Sequence, residues 1–159
     1  MNNCAMLNIY THIMVSYNLI YSYLLAFAFT IVGLVYLLKV PYQFAGTNNQ
    51  DLVDLYYFTD YKRNIPLDIL VVGVYLAISH AIIVYSQLQP LWAHLLIVIA
   101  TTACISSAFY WYFVSYSKSS NFFSRWFTRV GFRAVFYDMF YVGFTYFVFR
   151  HLYDKWLTN

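Results

Sequence analysis

Four apolar stretches, each long enough to cross a bilayer as a helix, constrain this chain more than any other feature. They run over about residues 17–38, 67–87, 91–116 and 134–153. A helix rises about 1.5 Å per residue, so roughly 20 apolar residues cover a hydrocarbon core about 30 Å thick. Backbone polar groups in hydrocarbon must be satisfied inside the segment, which makes these stretches helices. Lys39 and Pro41 close the first, Pro66 leads into the second, and Pro90 separates the second from the third. The fourth is shorter and more polar, and Arg150 near its end can snorkel to the interface.

Composition agrees with that reading. The chain of 159 residues is 62% hydrophobic and 9% charged, against about 45–50% and about 25% for soluble domains. The length allows one compact unit, a single transmembrane domain over residues 1–159. All six acidic residues are Asp, so glutamate chemistry, including an H-E-x-x-H zinc site, is excluded. The excess of Phe and Tyr, 15 and 18 residues, points to an AT-rich genome such as that of an organelle or a large DNA virus. Cys4 and Cys104 form no CxxC motif, and Cys104 reads as a small packing residue within an apolar helix.

The second and third spans are joined by Gln87-Leu88-Gln89-Pro90, a tight antiparallel hairpin. Two longer loops each hold a predicted interfacial helix. Over about 51–61, Asp51 suits a helix start, and Leu52, Leu55, Tyr56 and Phe58 form an apolar side. Over about 119–133, Phe122, Phe123, Trp126, Phe127 and Val130 recur at helical spacing beside Arg125, Arg129 and Arg133. That pattern predicts an amphipathic helix in the headgroup plane, with the three arginines and Trp126 as lipid contacts and anionic phospholipid as a partner.

The loops carry Lys39, Lys62 and Arg63, and Lys118, Arg125, Arg129 and Arg133; the other side has Arg150 and Lys155. The positive-inside rule therefore places both long loops on the matrix or cytoplasmic side and both termini opposite. The residues before the first span contain no Lys or Arg, unlike a secretory or mitochondrial leader. At an offset of 70, Arg63, Asp68 and Gly73 align with Arg133, Asp138 and Gly143, and Val72 with Val142. A duplicated pair of spans would leave this pattern, as would chance in a narrow residue alphabet.

Few residues offer chemistry. Asp68 and Asp138 are membrane-embedded acids and candidates for an ion or proton path. Each also sits near the start of its span, where the helix dipole and nearby cations neutralise a carboxylate. His80 and His94 lie on adjacent antiparallel helices and are the candidates for haem or quinone binding; packing histidines are the alternative. Nucleophile, Walker, dinucleotide and metal-ligand motifs are absent, which reads as a non-enzymatic chain without a cofactor. Three arginines among membrane-seeking aromatics do not form a nucleic-acid groove.

Pro66 to Pro90, followed by Leu91-Trp92, is similar in spacing to the second helix of the small third core membrane subunit of respiratory NADH dehydrogenase, and Val40-Pro41-Tyr42 resembles that family's loop start. Ile82 and Val84 stand where the family has helix carboxylates, and the loop cysteine motif is missing. The likeness covers under a third of the chain and carries none of the family's functional residues.

The sequence therefore reads as an all-α integral membrane protein of four transmembrane helices and two short interfacial helices. Eighteen tyrosine hydroxyls exceed what two interfacial belts use, and those inside spans need partners on other helices or subunits. The expected role is a structural, accessory subunit packed against other transmembrane subunits of an inner-membrane assembly, mitochondrial respiratory or ATP synthase. The alternatives are a virus-encoded protein linking a lipid layer to a capsid, and a small redox or proton-transport protein.

Overall fold

The structure is a computed structural model that describes the backbone of residues 3–116 and 122–157 and the side chains of residues 17–116 and 122–155. The side chains of Cys4, His12 and Lys118, and the predicted helix start at 119–121, lie outside the described residues. Among the described residues the chain is all-α, with seven helices and no strand. Helix α1 (Asn3–Thr30) continues into a wider π-helical segment (Ile31–Leu37). Helix α2 is Val40–Ala45, and α3 (Gln50–Asp54) continues into a second π segment (Leu55–Thr59). Then come α4 (Tyr61–Ser86), α5 (Leu91–Ser115), α6 (Phe122–Val130) and α7 (Arg133–Leu157).

Three of these are long and apolar enough to cross a membrane: the Tyr17–Leu37 part of the first helix with its π segment, α4 and α5. The fourth apolar stretch does form the long helix α7, but α7 is not among the three. Asp138, Arg150, Asp154 and Lys155 dilute its aromatic sequence. Trp92 and Trp111 are exposed near opposite ends of α5. Nineteen residues of helix separate them by about 28 Å, close to the hydrocarbon thickness. Tyr85, near the end of α4, and Tyr116, just past α5, are exposed toward the same two ends, so aromatic residues flank the apolar surface.

Helix α7 packs along both α1 and α5, and α4 packs chiefly on α5. His94, early in α5, meets Tyr146 well along α7, whereas Ser106, later in α5, meets Asp138 near the start of α7. The two helices therefore run antiparallel. Thr145 on α7 donates to Thr30 on α1 at 3.1 Å, and both are fully buried. Arg129 on α6 reaches Asp51 on α3, so the two long loops pack together at one end of the bundle.

Local structure corrects the sequence reading in four places. Pro66 lies inside α4, which starts five residues earlier with the Arg63 and Asn64 amides bonded to the Asp60 carbonyl. The predicted 51–61 helix widens into its π segment, which changes the phase of its faces. Leu52, Val53, Tyr56 and Tyr57 are buried, while Phe58, expected on the apolar side, is exposed. Cys104 faces outward from α5 rather than packing inside the chain. The apolar side of α6 faces protein: Trp126 is 6% exposed, stacks with Phe122 and meets the edge of Tyr137. Tertiary burial outbids headgroups for that face, because loop aromatics and α7 lie within reach.

Candidate functional site

The two acids fall in one place. Beneath α6, between α4 and α7, lies a cavity of about 190 Å³ with Asp68 and Asp138 in its wall. Asp68 and Val72 on α4, and Asp138 and Val142 on α7, hold corresponding positions at the 70-residue offset. Leu67 and Val71 likewise correspond to Tyr137 and Tyr141, all four in the same wall. Each helix turns the i, i+1, i+4, i+5 side of its early turns to this space, as a 3.6-residue period allows. The glycines of the offset pattern do not line it: Gly73 faces Tyr23, and Gly143 faces Ile99.

Phe122, Phe123, Trp126 and Phe127 close the cavity from α6, and Phe109 and Phe113 close it from α5. Among the described residues, eleven of its eighteen lining residues are aromatic and none is basic. Leu67 and Phe109 are exposed wall residues and mark its rim.

Hydrogen bonds partner part of the polar wall. Tyr56 donates to Asp68 Oδ1 at 2.5 Å, and Ser106 donates to Asp138 Oδ2 at 2.5 Å. Tyr75 reaches Ser106 Oγ at 3.3 Å, and the Tyr57 and Tyr137 hydroxyls lie 2.7 Å apart. Burial pushes the Tyr56 and Tyr57 hydroxyls above the ordinary phenol range, with Asp68 adding to the shift at Tyr56 and Tyr137 to that at Tyr57. Both therefore stay protonated, and Tyr56 serves as a donor to Asp68. Among the described residues no group bonds the second oxygen of either carboxylate. Tyr141 is 4% exposed, and among the described residues its hydroxyl has no partner.

The histidines are not equivalent. His80 is exposed on α4. His94 is buried, with Nε2 2.7 Å from the Leu88 carbonyl and Nδ1 3.2 Å from the Tyr146 hydroxyl. A carbonyl only accepts, so Nε2 carries the hydrogen and Nδ1 accepts from Tyr146. Neither nitrogen is free for iron in this arrangement. No three His, Cys, Asp or Glu side chains among the described residues come together as a metal site.

The predicted lipid contacts separate. Trp126 is inside the protein, which removes it from the lipid surface. Arg129 is committed to Asp51, Asn48 and Asn49. Arg125 and Arg133 remain exposed. The 70-residue offset was the sequence signal that paired Asp68 with Asp138; nothing in the sequence placed Tyr56, Tyr57 or the α6 aromatics around them. The chain matches no protein-family model, no curated protein and no solved structure.

Proposed function

We propose that the chain is a non-catalytic accessory subunit of a larger inner-membrane assembly, a mitochondrial respiratory or ATP-synthase complex, and that α7 is its fourth membrane span. His80 carries this reading. It lies on α4, the least buried of the three apolar helices, five residues further into the helix than Tyr85. Ala77, Ala81 and Val84 on the turns around it are exposed as well. Ionisable side chains in spans face the bundle interior or a partner, because an imidazole turned to hydrocarbon has nothing to bond. A transmembrane helix of another subunit, with a hydrogen-bonding group at this depth, covers the α4 face.

The fourth span rests on the antiparallel run of α7 against α5 and on the internal partners of its polar groups. Both long loops then share the matrix side, with the termini opposite. Arg125 and Arg133 meet anionic phospholipid there, each contributing about 1 kcal/mol near a charged surface.

The test is a photo-crosslinking residue at position 80 in the native membrane, followed by mild detergent and a native gel. The expected product is a crosslink to one transmembrane subunit of a respiratory or ATP-synthase complex, with this chain migrating in that complex. A stable lone monomer crosslinked only to lipid would overturn the reading.

A further inference from the structure

We propose that the cavity between α4 and α7 is a binding site for a primary ammonium group, in the headgroup of a zwitterionic phospholipid or in a free organic amine. The site is independent of which assembly the chain joins.

Charge comes first. Among the described residues the wall holds two carboxylates and no basic side chain, a balance suited to a cation. Aromatic rings form most of the remaining wall, and their negative faces stabilise ammonium groups while covering an apolar body. Second, the hydrogen-bond inventory is incomplete. Among the described residues, Asp68 and Asp138 each have one oxygen engaged and one unbonded, and the Tyr141 hydroxyl on the same wall has no partner although it is buried. Buried polar groups are normally satisfied, so this hydroxyl offers a ligand atom an open partner. Three open acceptors match the three N–H donors of a primary ammonium.

Size and position also fit. A cavity of about 150 Å³ holds benzene, so about 190 Å³ holds an ammonium on a short organic body. The rim residues Leu67 and Phe109 are on bilayer-facing helices near the loop end of the bundle. Arg63, exposed five residues before Asp68, lies about 7 Å further toward the surface. A headgroup with its ammonium at the carboxylates would turn its phosphate toward Lys62 and Arg63.

The test uses the full chain in detergent, with 2-phenylethylammonium as probe and propylbenzene as its neutral isostere, read by calorimetry. Saturable binding of the ammonium and none of the isostere is expected. Asp68→Asn and Asp138→Asn should each weaken it at least tenfold. Tyr141→Phe should weaken it severalfold; it removes only an unpartnered hydroxyl, so folding is not in question. Equal binding of the isostere, no saturable binding by the wild-type chain, or unchanged binding in all three variants would overturn the proposal. Native mass spectrometry from bilayers of phosphatidylethanolamine or phosphatidylglycerol separates the sources. Retained phosphatidylethanolamine, displaced by the probe and lost in the Asn variants, identifies the headgroup. Probe binding without lipid retention identifies a free amine.

Discussion

Arg129 and Asp51 form two hydrogen bonds of 2.8 and 2.9 Å between α6 and α3, joining loops that are 78 residues apart in sequence. The hydrogen bond from Arg129 holds the Asp51 carboxyl below its ordinary range. The unfolded carboxyl titrates at about 3.9. The link is therefore fully present above that pH and is lost as pH falls through the lower, folded value. Asp51→Asn should raise amide exchange in α6 and in residues 47–51 at neutral pH. The wild-type chain should approach the same exchange, corrected for intrinsic rates, only in strong acid. Unchanged exchange in the Asn variant would show that the pair does not hold the loops.

His94 ties the hairpin turn to α7. His94→Ala leaves the buried Tyr146 hydroxyl and the Leu88 carbonyl without this partner. The expected loss is about 1–3 kcal/mol in reversible unfolding from mixed micelles. Tyr146→Phe removes one bond of the two and should cost less. If the order of the two losses were reversed, the hydrogen-bond assignment would be wrong.

Gln87 ends α4 in the left-handed conformation, φ 54°. That geometry costs an L residue roughly 1–2 kcal/mol and glycine almost nothing. Glycine also loses more chain entropy on folding, which offsets part of the gain. Gln87→Gly should therefore stabilise by under about 1 kcal/mol in the same unfolding assay. A loss would mean that the Gln87 side chain makes a contact in the membrane.

The polar wall of the cavity predicts opposite effects at two positions. Ser106→Ala removes the donor to Asp138 and the partner of Tyr75, at an expected cost of about 1–3 kcal/mol. Tyr141→Phe removes a hydroxyl without a partner and should stabilise the ligand-free chain by up to about 1 kcal/mol. Unfolding midpoints of the two variants, measured side by side, check the contrast.

The long helices were legible because each is a continuous apolar run whose end residues are prolines or cations. Their partners were not. Periodicity showed an aromatic stripe on α6 and assigned it to lipid, since spacing alone does not register a protein partner; packing against Tyr137 and Phe122 puts Trp126 inside the protein. The loop-one helix kept its place but changed its faces, because a π segment adds residues per turn and brings Tyr57 inward. Asp68 and Asp138 were each visible as an embedded acid. Their convergence on one cavity depends on how α4 and α7 flank α5 and α6, a long-range relation of which the 70-residue offset was the one trace.

The partners of α7 also bear on how the chain is made. Thr30, Ser106 and His94 all precede α7 in the chain, and each bonds a polar residue of α7: Thr145, Asp138 and Tyr146. The helix with the weakest apolar signal thus leaves the ribosome after the residues that accommodate it are already in place. On the proposed four-span topology its integration becomes a lateral docking onto earlier helices rather than a partition decided by its own sequence. In a translocon assay, α7 alone should fail to insert, and α7 behind α1 to α5 should insert.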